Sequence, residues 1–282
     1  MTMARLRASL VAVILLLAPH IVVAESQAKT QISPADLVKA VIHNELRPAG
    51  VSEIRWKYRL DKESDGKQEI REVVETKSGS LDRLLSIAGN PLTDAQASDE
   101  IERILRFSHS SYEQRKAEET RRKDAEQCSV LMQMIPDAFV FDYAGESGNL
   151  TKVIFRPNPY FRPPSREGKV LQQMAGEMWV DARQQRLVSI NGQLTNEVKF
   201  AGGLLGRLEK GGQFTIRRAE IAPGDWEVTE MTVNMRGKAL LFKSICVQQK
   251  ELHSNFERVP DDLSLSDAAS LLLRQTLVAF KQ

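Results

Sequence analysis

The sequence predicts an α+β protein built on a strongly curved antiparallel sheet, a half-barrel of about nine to ten strands, with helices packed on or beside it. Three observations predict it. Residues 53–61 (EIRWKYRLD) alternate charged and apolar side chains without a fault, which marks a strand with one wet face. From Phe139 to Glu251 the chain reads as consecutive strands joined by short turns, a meander too large to stay flat. Helical spacing replaces the period of two near residue 33, over about 93–135, and from Ser266 onward.

The first 24 residues have the three-part layout of a secretory signal: Arg5 and Arg7, an apolar run from Ala8 to Pro19, then Val22-Val23-Ala24. Cleavage is expected after Ala24, giving an exported protein, periplasmic or secreted. No cysteine near that point would carry a lipoprotein anchor. Residues 25–282 are expected to form one domain with a helical insert. Without the two signal arginines, the mature chain has 37 basic and 37 acidic residues, and this neutral balance argues against nucleic acid as a partner. No later apolar run is long enough to span a membrane. Cys128 and Cys246 could pair in an oxidising compartment or pack separately as thiols.

Each element follows in order. Ser33 caps a first helix, Pro34 and Asp36 suit its first turn, and Leu37, Val38, Val41 and Ile42 form its apolar stripe. Pro48 and Gly50 stop it. In the first strand Ile54, Trp56, Tyr58 and Leu60 face inward, with Arg55, Lys57 and Arg59 in solvent. Asp65-Gly66 turns into a second strand near 70–76, and Ser78-Gly79 into a third near 81–87. Thr93 caps the long insert, which becomes almost wholly polar from Ser110 to Gln127. There, Glu118–Arg122 and Glu119–Lys123 are favourable i,i+4 pairs. Val130, Leu131, Met134 and Ile135 return the insert to the core before Pro136. Strands are then expected from Phe139, from Val153, and over 178–181, 186–194, 214–218, 226–235 and 240–247. A last helix capped by Ser266 carries Ala269, Leu273, Leu277 and Phe280 on one side.

Chemistry is sparse. His43, His109 and His253 are not at metal-ligand spacing, and there is no HExxH, GxSxG or CxxC, so neither metal nor cofactor is expected and an enzyme is disfavoured. The glycine-rich segment 201–212 lacks the hydroxyl residue after Lys210 that a phosphate-binding loop needs. Two loops stand out. Residues 155–166 concentrate prolines, arginines and aromatics, and 201–206 hold Leu204 and Leu205 among glycines.

Several segments resemble an uncharacterised family of secreted bacterial proteins: RLLSIAGNPLT (83–93), FRPNPYFRPPSREGKV (155–170), GEMWVDARQQRLVSINGQL (176–194), FAGGLLGRLEKGG (200–212) and GKALLFKSICVQQ (237–249). More distantly, the hairpin Trp179-Val180-Asp181 to Arg186-Leu187-Val188-Ser189-Ile190 resembles the periplasmic lipoprotein-carrier superfamily of LolA, LolB and MucB. That resemblance implies a curved sheet wrapped around helices, with an apolar cavity for acyl chains. The long polar insert departs from it, and the missing anchor cysteine argues against the LolB type.

The leading expectation is a non-enzymatic periplasmic binding protein for a lipid or an acylated protein. Ile54, Trp56, Tyr58, Leu60, Phe139, Phe141, Tyr143 and Val180 would line its cavity, or would simply be core. Arg156, Tyr160, Phe161, Arg162, Arg166, Leu204 and Leu205 would form the rim, the arginines meeting an anionic headgroup. A second expectation is an interaction module for an envelope protein partner, as in MucB-like sensing. A third is a hydrolase with a site assembled from distant residues. An open apolar cavity favours the first, a filled sheet with an exposed apolar rim the second, and a buried His–carboxylate pair in a cleft the third.

Overall fold

The computed structural model describes residues 32–46, 54–239 and 243–279. The signal sequence, Pro48, Gly50, Glu53, Leu240 and Phe280 lie outside the described residues. Among those described, five helices accompany thirteen strands in one antiparallel sheet that is curved and not closed.

Helix α1 (Pro34–Glu45) forms as its sequence dictates: Ser33 Oγ accepts the Asp36 N–H, and Leu37, Val38, Val41 and Ile42 are buried. Strands β1 (Arg55–Ser64), β2 (Lys67–Thr76) and β3 (Gly79–Ile87) make the expected meander. Asp65 and Gly66 both take positive φ, which is the turn a two-residue hairpin needs. β4 (Asn90–Pro91) ends this side of the sheet.

The insert then carries the chain from one sheet edge to the other. It is two helices, α2 (Asp94–His109) and α3 (Ser111–Ala138). Thr93 and Gln96 form a capping box on α2. Ser110 takes extended backbone and caps α3 through the Glu113 N–H. Of the expected ion pairs, Lys123 bonds Glu119 at 2.7 Å, while Arg122 lies nearer Glu126, at 3.6 Å. α3 continues through Pro136, whose missing N–H falls in the last turn while Leu131, Met132, Met134 and Ile135 pack on the core.

The second edge is β5 (Phe139–Ser147), followed by β6 (Leu150–Pro157), helix α4 (Arg166–Leu171), β7 (Met174–Asp181) and β8 (Arg186–Leu194). Then come β9 (Val198–Phe200), β10 (Gly206–Leu208), β11 (Gln213–Ala222), β12 (Asp225–Ala239), β13 (Lys243–Val259) and α5 (Leu265–Ala279). The order across the sheet is β4-β3-β2-β1-β13-β12-β11-β8-β7-β6-β5, with β10 beside β12 and β9 beside β10. The last strand therefore pairs with the first and joins two meanders into one sheet.

Thirteen strands exceed the expected number because β4, β9 and β10 are two or three residues long, too short to show a period. β13 runs to Val259 rather than ending near 247. Its polar second half is held by β1, with a register shift where Asn255 takes positive φ. α5 is capped by Ser264 rather than Ser266, since Ser264 Oγ accepts the Asp267 N–H.

The core is divided. One cluster joins α1, the end of α3, α4 and β5–β8 through residues such as Phe139, Phe141, Val153, Phe155, Met178 and Val180. The other joins Val74 and Leu81 to Ile104 of α2 and to Leu265, Ala268, Ala269 and Leu272 of α5. Strand register puts them on opposite faces of the sheet. Val153, Met178, Ile190, Ile216, Met231, Glu251 and Lys62 follow one another across one face, which continues to Tyr58 and Val73. Lys57, Val74 and Leu81 lie on the other.

The expected solvent face of β1 is corrected at Lys57, while the Arg59 side chain stays 42% exposed. The Lys57 side chain is only 12% exposed and holds Glu257 at 2.9 Å and Glu72 at 3.6 Å. Alternation reported the two faces correctly but not the carboxylates of β2 and β13 that flank Lys57. No helix among the described residues is long and apolar enough to cross a membrane.

Candidate functional site

The face that carries the first cluster forms an apolar seat. Its floor is set by two glycines paired across β7 and β8, Gly176 and Gly192. A Cβ on Gly176 would stand 1.9 Å from the Asn191 carbonyl oxygen, and one on Gly192 would stand 2.1 Å from the Phe214 ring. With no side chain at either position, the Phe155 and Phe214 rings lie close to the backbone. The Phe155 ring meets Phe139 edge-on at 4.9 Å, and Phe139 meets Phe141 at 6.2 Å.

The seat is filled. Leu37, Val38, Val41 and Ile42 of α1 pack into it with Leu131, Met134 and Ile135 of α3. Among the described residues, the seat keeps a cavity of about 40 Å³, lined only by apolar side chains, among them Ile135, Phe139, Leu171, Met174 and Met178. That space is far below the roughly 300 Å³ or more of a typical ligand pocket.

The expected lining residues fall into two groups. Phe139, Phe141 and Val180 are buried in the seat and Tyr143 packs against it. Trp56, Tyr58 and Leu60 share its face of the sheet but belong to neither apolar cluster. Ile54 is half-buried just before β1. Trp56 is buried, its indole N–H donating to Asp225 at 2.7 Å and its ring meeting Phe256 edge-on. Tyr58 lies between His253 and Phe256.

Carboxylates crowd this second patch. Burial, then Glu75 and Asp225, push Glu227 up to about 7. Burial also raises Glu75, against the Trp56 N–H that bonds it. Tyr58 is raised by burial and then by Glu75 and Glu227. His253 Nε2 lies 3.8 Å from Glu251, which His253, Lys62 and Gln249 hold down at about 2. The His253 ring stacks on Tyr58, and its buried Nε2 faces Glu251 without making a hydrogen bond. No group of described residues is arranged to hold a metal.

The expected rim is corrected at Phe161 and Arg156. Phe161 is 9% exposed and joins the seat cluster with Leu171 and Val198, so it plugs the end of the seat. Arg156 alternates with inward Phe155, so it points away from the seat and pairs with Asp142 on β5. Arg162 is exposed and reaches its own loop at Pro159, and Arg166 is exposed at the start of α4. Tyr160 and Leu204, at 84% and 77%, are exposed as a rim requires, and Leu205 is partly so. Cys128 is a free, exposed thiol on α3.

Sequence reasoning missed the charged group at the C-terminal end of α1. Glu45 is 9% exposed by its side chain and pairs with both Arg218 of β11 and Arg186 of β8. It also accepts the Leu187 N–H at 3.2 Å. Asn44 donates to the Gln185 carbonyl. The partners are more than a hundred positions apart in sequence, and only the curvature of the sheet brings them together.

No protein-family model and no curated protein matches the sequence. Among solved structures, a DUF1329 family protein from Desulfovibrio piger aligns over 86% of this chain and 100% of its own, at 12% identity and a TM-score of 0.26. A likeness at that level carries no argument about function.

Proposed function

We propose that the protein is a non-enzymatic binding protein of the cell envelope, and that its ligand carries an acyl chain which takes the place of α1 in the seat. The observation that supports this reading is the apolar seat of β5–β8, covered by helices rather than by more sheet, with the twelve-residue α1 packed in it beside the end of α3. The remaining cavity is apolar on every side, as an acyl site requires. Re-exposing Leu37, Val38, Val41 and Ile42 would cost roughly 1.5–3 kcal/mol each, and burying a chain of about fourteen methylenes would return roughly 0.8 kcal/mol per group. The two quantities are of the same order, so exchange of helix for chain is energetically feasible.

Titration of folded protein with cis-parinaric acid tests this reading, since the probe fluoresces when buried in an apolar site. Saturable one-to-one binding, displaced by unlabelled fatty acid, is expected. Absence of binding would overturn it and leave the interaction-module reading, which a different observation favours. Tyr160 and Leu204 are exposed on loops that flank the filled seat, at the end plugged by Phe161.

A further inference from the structure

We infer that Arg186 and Arg218 form an oxyanion site at the mouth of the apolar seat, that Glu45 occupies it in place of a ligand headgroup, and that α1 is an internal stand-in for an anionic single-chain amphiphile. The inference rests on the acyl-binding reading and adds the chemical class of the headgroup.

Helix α1 has the two parts of such a ligand. Its apolar stripe fills the seat, and its final residue presents a carboxylate to two guanidiniums. Glu45 is badly placed for the helix itself, because a negative charge at a helix C-terminus opposes the helix dipole. Its position is explained by what it meets. Arg218 pairs with Glu45 and donates to the Trp226 carbonyl. Arg186 approaches the other carboxylate oxygen at 3.3 Å. The Leu187 N–H adds a backbone donor. A carboxylate or phosphate would find here two arginines and an amide, the donor set of an oxyanion site.

The site also has unused capacity. The buried Nε of Arg218 has no hydrogen-bond acceptor, and the Nε of Arg186 faces Glu45 without the alignment of a hydrogen bond. Buried guanidinium donors left in this state favour a fuller oxyanion over the single carboxylate now present. Glu227 is the other carboxylate whose charge both arginines influence. Burial keeps it substantially protonated near neutral pH, so it competes weakly for them.

The test compares cis-parinaric acid with its methyl ester, which has the same chain and no charge, on the whole protein. Wild type should bind the acid about tenfold more tightly than the ester, as a charge-assisted contact requires. Glu45→Gln should tighten the acid further, since its competitor is gone. Arg186→Gln and Arg218→Gln should reduce the preference for the acid over the ester by roughly tenfold, because loosening of α1 acts on both probes alike. Arg218→Lys, which keeps the charge, should fall between wild type and Arg218→Gln, and it serves if the glutamine variant unfolds. Lysophosphatidic acid as competitor distinguishes a phosphate headgroup from a carboxylate. Equal binding of acid and ester in every variant would overturn the oxyanion site while leaving the acyl reading intact. Failure of both probes on wild type and on Glu45→Gln would overturn both.

Discussion

The two ends of the sheet are covered in different ways. Beyond β1, the cluster of Val74, Leu81, Ile104, Ala268, Ala269 and Leu272 is small and aliphatic, and side chains tie its cover to the strand backbone. Glu100 of α2 accepts the Leu84 N–H at 2.7 Å, and Arg83 donates to the Leu272 carbonyl of α5. The Glu100 bond occupies a backbone donor of β3, and β4 pairs with the end of the same strand. At the β5–β8 end the cluster is large, aromatic and methionine-rich, retains a cavity, and is covered by a helix latched at its last residue. One end reads as closure and the other as a seat. The comparison teaches that a single sheet can carry covers held in different ways on its opposite faces, one tied to strand backbone and one held by an apolar stripe and a terminal carboxylate.

The largest expected effect tests the fixed end. Ile104 is fully buried, so Ile104→Ala should cost about 3–5 kcal/mol in denaturant unfolding while leaving probe binding intact. Met178→Ala in the seat should cost less, about 2–3 kcal/mol, because methionine packs loosely beside an existing cavity, and it should increase probe uptake. Equal costs with equal binding would erase the distinction between the ends.

Gly176→Ala comes next. The added methyl meets backbone at 1.9 Å and the Phe155 ring at 2.7 Å, so a loss of about 1–3 kcal/mol is expected, with weaker probe binding. Unchanged stability would mean that the floor of the seat yields.

The pH dependence separates the fixed end from the carboxylate patch. Against the upward push of burial, Arg103 and the Leu84 N–H hold Glu100 below the ordinary carboxylate range. Its contribution is therefore present above the unfolded value and is lost as pH falls through the folded one. Glu227 has the opposite sign. Its raised folded value of about 7 contributes stability that is full below the unfolded value and is lost as pH rises towards 7. Tm measured from pH 3 to 8.5 should show Glu100→Gln reducing the acid-side loss and Glu227→Gln reducing the decline between about pH 4.5 and 7, to which the raised Glu75 also contributes. A wild-type Tm that rises from pH 5 to 7.5 would contradict the sign for Glu227. The smallest effect belongs to α3: Lys123→Ala breaks only an exposed pair with Glu119 and should leave Tm unchanged within error.

Legibility in the sequence followed the range of the forces involved. The stripe of α1, the alternation of β1 and the cap at Thr93 are local patterns, and each element formed. The helix α4 was hidden because it is six residues long and includes Gly168, at which a methyl group would press on Pro163. The pairing of β1 with β13 and the resulting Lys57–Glu257 pair leave no mark in either strand alone. The same holds for the site. Phe139, Phe141 and Val180 were readable from alternation, whereas Glu45, Arg186 and Arg218 are ordinary surface residue types until the sheet curls. Arg156 was misread because its loop was judged by composition rather than by the parity of Phe155.

The most direct test of the central claim is backbone hydrogen exchange with and without saturating fatty acid. If acyl binding displaces α1, amides of residues 37–45 should lose protection on ligand addition, while α5 and β2–β3 around Leu272, Val74 and Leu81 stay unchanged. Protection of α1 that is unchanged or increased in ligand-saturated protein would contradict the account.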